Sequence, residues 1–179
     1  MYLQLTYPPF FNGYYYPYRN DVNIQPRKAV AYILGGSLAP QIKGVVTFST
    51  VVGGTEVFVE VSGLPLYKSA TEVSSQVGPH GFHIHENGAC ETDDPTKQFE
   101  AAGGHWNPTD EPHGNHAGDF PVIFSNNGYA RMSFFTNKFT VPQIIGKSII
   151  IHESPDDYKT QPSGASGRKL ACGVIQKAI

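Results

Sequence analysis

From Lys28 onward, apolar and polar residues alternate in short runs. The stretches "KAVAYILGG" (28–36) and "KGVVTFSTVVGGTEVFVEVSGLP" (43–65) are rich in valine and phenylalanine. A period of two puts successive side chains on opposite faces, the pattern of a half-buried strand. The "VVGGTE" turn at 51–56 predicts that the second stretch folds back as a hairpin. "PVIFSNNGYARMSFF" (121–135) reads as another hairpin around Asn126-Asn127-Gly128, and "KSIIIHE" (147–153) and "LACGVIQ" (170–176) as two more strands. No stretch has a convincing helical period, so the pattern predicts an all-β sandwich or barrel.

Two regions break this rhythm. Residues 87–120 show no periodicity, although unstructured loops longer than about 15 residues are uncommon in a compact domain unless they carry function or are disordered. "SPDDYKTQPSGASGRK" (154–169) is a second irregular stretch, between the last two strands. Residues 1–27 differ again: the segment contains six of the ten tyrosines and is broken by Pro8, Pro9 and Pro17. It reads as an aromatic arm lying on the domain or on a partner subunit, with residues 28–179 as the domain itself.

Composition narrows the reading only slightly. A chain of 179 residues with 40% hydrophobic and 16% charged residues fits one globular domain. A net charge of -2 and a pI near 6.4 leave no basic footprint, so no nucleic-acid partner is expected. No apolar run approaches the ~20 residues of a membrane span. The N-terminus lacks a basic start followed by a sustained apolar stretch, so no signal peptide is read; the expected location is cytoplasmic or reached by non-classical export.

The candidate chemistry lies in the histidines, all seven of which fall between residues 80 and 152. In "GFHIHE" (81–86), His83 and His85 point to one face of a strand and Ile84 to the other. Alone, such a pair reads as metal ligands or as surface residues of an edge strand. The clustering favours metal. His83, His85, His105 and His152 form an all-imidazole set suited to copper. His105, His113, His116 and Asp119, within "GGHWNPTDEPHGNHAGD", form a set of three imidazoles and a carboxylate suited to tetrahedral zinc. His105 belongs to both, since an imidazole that loses both protons can bind one metal through each nitrogen.

At these motifs the chain resembles the copper/zinc superoxide dismutase family. "HGFHIHENGAC", "GGHWNP", "HGNHAGDFP", "IIIHESPDD" and "SGRKLACGVI" occur in the family's order, and the resemblance covers residues 28 to about 176. It implies an eight-stranded antiparallel Greek-key barrel with two long functional loops. It implies disproportionation of superoxide to dioxygen and hydrogen peroxide by Cu(II)/Cu(I) cycling. His83, His85, His105 and His152 match the copper ligands, with His105 as the bridge. His113, His116 and Asp119 match the zinc ligands. Asp156 matches the outer carboxylate that orients ligating rings, whereas Asp157 alone would read as a solvated loop charge. His80 matches a histidine that tethers loops to the barrel. Cys90 and Cys172, the only cysteines, match an intrasubunit disulfide; the reading without the resemblance is two buried thiols.

Three departures from the family pattern stand out. Counting back from Cys172 places Lys169 where the family has an active-site arginine, with Arg168 one place earlier, so both are candidates for holding the anion. The spacing His113-x-x-His116-x-x-Asp119 is tighter than usual, with Gly114 and Gly118 available to turn the ligands inward. The loop 153–168 is shorter than the family's charged guiding loop, which leaves Lys159, Arg168 and Lys169 as the cations. The family is often dimeric, so a homodimer is an expectation. The alternative function is a non-enzymatic copper-binding or copper-handling protein on the same fold.

Overall fold

The computed structural model describes residues 27–91 and 97–178, so the aromatic arm expected over 1–27 lies outside the described residues apart from Arg27. Seven strands form one antiparallel sheet curled into a half-barrel: β1 (Lys28–Gly35), β2 (Lys43–Val51), β3 (Gly54–Ser62), β4 (Phe82–His85), β5 (Tyr129–Thr136), β6 (Ser148–His152) and β7 (Lys169–Lys177). Their order across the sheet is β4-β6-β7-β1-β2-β3-β5. A single helical turn, α1 (Val141–Ile144), precedes β6. No helix among the described residues is long and apolar enough to cross a membrane.

The alternation read from the sequence holds in β1 to β3. Ala29, Ala31, Ile33, Val46, Phe48, Val57, Val59 and Val61 all point into one core. The β2–β3 hairpin closes on Val52-Gly53, with Val51 paired to Gly54. Gly53 has φ 85°, a conformation that glycine adopts without a Cβ clash.

The expected eighth strand does not form among the described residues. The turn at Asn127-Gly128 does form, with reciprocal hydrogen bonds between Asn126 and Tyr129. The run before it is held at isolated positions: Gly118 accepts from Ile84 N–H, and Ile123 exchanges both backbone bonds with His80. Pro121 supplies no donor within that run, and its backbone is divided between two partners rather than laid along one strand. The expected hairpin over 121–135 is therefore one strand, one turn and a tethered loop.

Strands β4 and β6 are buried on both faces, without exception along their length. Phe82, Ile84, Ile149 and Ile151 face the core. The opposite face lies under the long loops and places His83 opposite Ile150 and His85 opposite Ser148. A register shift at Ile151/His152, of the bulge type, then pairs His152 with Lys169 at the start of β7. Cys90 and Cys172 form a disulfide with Cα atoms 5.6 Å apart, packed with Phe99, Ala102 and Ile150. It ties the ligand-rich loop to the last strand.

Candidate metal centre

The site forms where the two long loops cross the covered face of β4 and β6. His83 and His85 come from β4 and His152 from the end of β6. His105 forms an isolated bridge with His85, which brings the loop to the strand. The nitrogens of His83, His85, His105 and His152 lie within 4.8 Å of one another. Ligand atoms of His105, His113, His116 and Asp119 meet the same limit, so the two groups share His105. The short H-x-x-H-x-x-D spacing does turn all three side chains inward. Asp119 shapes that turn by accepting from Gly114 N–H (2.9 Å) and His116 N–H (3.0 Å).

The ring orientations follow from what each outer nitrogen bonds. Asp156 accepts from His83 Nε2 at 2.7 Å and from His113 Nε2 at 2.9 Å, so one buried carboxylate links the two groups. Protons on those nitrogens leave Nδ1 of both rings as bare lone pairs, and neither Nδ1 has a partner. His85 Nδ1 donates to Gly103 O (2.9 Å) and His152 Nδ1 to Gly167 O (3.2 Å). Their Nε2 atoms then face each other at 3.3 Å with no proton between them. His105 Nδ1 lies 2.9 Å from Asp119 Oδ1, while its Nε2 is unpartnered, as is His116 Nδ1.

Buried polar atoms are rarely left without partners. Here several converge as opposed lone pairs, an arrangement that is repulsive without a cation and favourable around one. Burial pushes His83 and His85 well below the ordinary imidazole value and His152 down to about 3, so these rings stay neutral, as ligation requires. Desolvation works to raise Asp119, yet the hydrogen bond from His105 and the neighbouring histidines bring it down to about 2. The donor sets therefore fit two ions: a four-imidazole set for copper, and three imidazoles with a carboxylate for zinc.

The remaining sequence candidates separate clearly. Asp157 turns away and caps its own loop, accepting from Lys159 N–H, Thr160 N–H and Thr160 Oγ1. His80 Nδ1 donates to His152 O at 2.9 Å and ties the loops together, as expected of a tether. The Arg168 side chain is 61% exposed and is held by a two-pronged pair with Glu153. Lys169 lines the cleft that contains His85, His105 and His152. Its Nζ donates to Phe99 O and Gly103 O, both at 3.0 Å. Burial lowers the Lys169 pKa.

Gln98 and Gln161 are residues that sequence reasoning missed. The Gln98 amide donates to Lys169 O and Leu170 O and accepts from Ser37 Oγ, bracing the start of β7. Neither glutamine is marked by a motif; each is recognisable only by what it contacts.

Comparison with known proteins agrees with this geometry. A family model described as copper/zinc superoxide dismutase matches residues 42–175. A Cu-Zn superoxide dismutase of Deinococcus radiodurans is 41% identical over 153 residues, covering 76% of this chain and 78% of the relative. One from Photobacterium leiognathi is 40% identical over 112 residues, covering 55% and 65% respectively. One from Aquifex aeolicus is 35% identical over 145 residues, covering 73% and 82%. The matched span runs from the residue before β2 into β7 and takes in every histidine of both groups. The chain belongs to the copper/zinc superoxide dismutase family.

Proposed function

We infer that this protein disproportionates superoxide: two superoxide anions and two protons give one dioxygen and one hydrogen peroxide. The observation that carries the reading is the set of unpartnered or mutually facing ring nitrogens on His83, His85, His105 and His152, beside a second set built on the same His105. Copper, when bound, would supply a one-electron couple between Cu(II) and Cu(I), and zinc, which is redox-inert, would supply a fixed positive charge beside it.

We assign copper to His83 Nδ1 and to Nε2 of His85, His105 and His152. Zinc is assigned to Nδ1 of His105, His113 and His116 together with Asp119. For His105 to bridge, the proton that faces Asp119 must leave Nδ1. His105 Nε2, unpartnered and facing the cleft, would be the nitrogen to hold a proton for the peroxide whenever it is not ligating, and the second proton would come from solvent. Asp156 keeps the His83 and His113 rings in the tautomers that present Nδ1 inward.

Lys169 is the residue we assign to the anion. It reaches the cleft with two of its three donors anchored on carbonyls, which leaves the third for superoxide. Arg168 is neutralised by Glu153. A copper-handling role on the same fold would not require this cation at the mouth of the cleft. Tyr32 and Leu34 are about two-thirds exposed on the outer face of β1, which supports the homodimer as a further proposal, to be checked by sedimentation velocity.

The test is superoxide removal by the protein loaded with copper and zinc. His85→Ala should abolish it, and added salt should slow the native protein as screening shortens the reach of its cations. Removal no faster than free copper produces, from protein that holds copper tightly, would reject the enzyme.

A further inference from the structure

The segment from His113 to Asp119 is held from within by Asp119, which accepts from Gly114 N–H and His116 N–H, but these bonds do not reach the backbone of His113. It contains two glycines, and within it the chain must reverse direction to turn three side chains inward. Glycine loses more backbone freedom on ordering than other residues, so ordering such a segment is costly. The contacts that fix its first histidine come from the other long loop, far along the chain.

Gln161 is the centre of these contacts. Its Oε1 accepts from His113 N–H at 2.9 Å, and its Nε2 donates to His113 O at 3.3 Å and to Lys159 O at 3.3 Å. One side-chain amide thus satisfies both backbone groups of a single residue, much as a neighbouring strand satisfies a residue facing it. Two glycines permit the approach. Gly114, at φ 92°, lies so close to Tyr158 that a Cβ would sit 2.6 Å from its carbonyl oxygen. Gly164, at φ 68°, lies against the Asp156 carboxylate and the His113 ring, where a Cβ would come 2.5 Å from His113 Nε2. Asp156 Oδ1, in turn, accepts from Tyr158 N–H at 2.7 Å as well as from His113. Backbone and ring of His113 are therefore both held from residues 156–164.

We propose that Gln161 is a positioning residue of the zinc site, clamping the backbone of His113 so that its Nδ1 is presented to the metal, and that this clamp sets how long zinc is retained. The proposal rests on the reading of His113 as a zinc ligand. The clamp complements the bonds internal to the short H-x-x-H-x-x-D turn: Asp119 holds Gly114 and His116 from within, and the backbone of His113 takes its bonds from the neighbouring loop. Without the clamp, the backbone of His113 loses both its bonds, and the ring's contact with Asp156 and the metal remain to hold that residue in place. Zinc then leaves more often, while the copper set, which does not include His113, keeps its geometry.

The experiment uses the full chain loaded with copper and zinc. Zinc release is timed with a chromophoric chelator, and the visible spectrum is recorded after Co(II) replaces zinc. Gln161→Met keeps the side-chain volume and loses all three bonds. It should release zinc about 10- to 100-fold faster, the usual cost of losing a partner behind a ligand. Its Co(II) spectrum should change while its copper spectrum stays that of the native protein. Gln161→Glu keeps the acceptor for His113 N–H and should recover part of the loss. Native release rates and an unchanged Co(II) spectrum in Gln161→Met would overturn the proposal. So would a lower melting temperature with no change in release, since that marks a structural contact alone. A native protein whose Co(II) form lacks a tetrahedral spectrum would remove the ligand assignment and the clamp with it.

Discussion

Along β2 and β3, nine consecutive residue pairs stay in register, from Lys43–Ser62 to Val51–Gly54, with Val46, Phe48, Val57 and Val59 fully buried behind them. The loops over β4 and β6 have no comparable ladder. Scattered backbone bonds hold them at isolated points, and between these, single side chains bond backbone groups: Gln98 on Lys169 and Leu170, Asp119 on Gly114 and His116, Asp156 on Tyr158, and Gln161 on His113. The hairpin is stabilised in proportion to the apolar area it removes from water, spread over many residues. The loops depend on a few directional contacts around buried rings, so a change of charge or the loss of one amide should disturb them out of proportion to the atoms involved.

Acid should break this contrast most strongly. In the metal-free protein, burial holds His83 and His85 below their ordinary value of 6.5 and His152 near 3. An unfolded chain takes up these protons first as pH falls, so the folded state binds fewer between about 6.5 and 3, and its stability rises with pH across that window. The contribution is complete above 6.5 and is lost as pH falls toward 3. The melting temperature of the metal-free protein, followed from pH 7 to pH 4, should drop steeply, and loading with copper and zinc should delay the drop. A flat profile would mean that the rings are solvated.

Phe48→Ala probes the hairpin side and should cost about 3–5 kcal/mol, measured by denaturant unfolding, because the ring is fully buried. Zinc release from the folded protein should stay near the native rate; a large acceleration would show that the two regions are not separable.

The smallest and sharpest comparison is between two neighbours. Lys169→Ala should slow superoxide removal at low salt by about tenfold or more, as a steering cation at a cleft is lost. Arg168→Ala should leave the rate within about twofold and change stability by at most about 1 kcal/mol, as expected of an exposed pair. Burial lowers the Lys169 pKa, so the native rate should also fall on the alkaline side, and Lys169→Arg should move that fall to higher pH. Equal losses in the two alanine variants would return Arg168 to the site.

Much of this was legible in the residues. Alternation of valine and phenylalanine announced β1 to β3, and Val52-Gly53 announced their turn, because strand period and turn chemistry are local. Ligand types were legible because histidine and aspartate carry their chemistry with them, and the order of the motifs placed them in a family. Of the hairpin expected over 121–135 the turn and the second strand form, but the run before the turn does not pair along its length, because Ile123 is claimed by His80 and Pro121 offers no donor.

What the sequence determined by itself is therefore the all-β class, the two donor sets and the pairing of the only two cysteines that the resemblance implied. Tertiary structure decided which of two adjacent cations enters the cleft. One residue of phase at the start of β7 turns Lys169 toward His152 and leaves Arg168 to Glu153, and that phase is set by pairing with β6 across a register shift. It also decided what bonds the backbone of His113, since Gln161 and His113 lie 48 positions apart. Such contacts exist only once the chain has closed, and no local pattern encodes them.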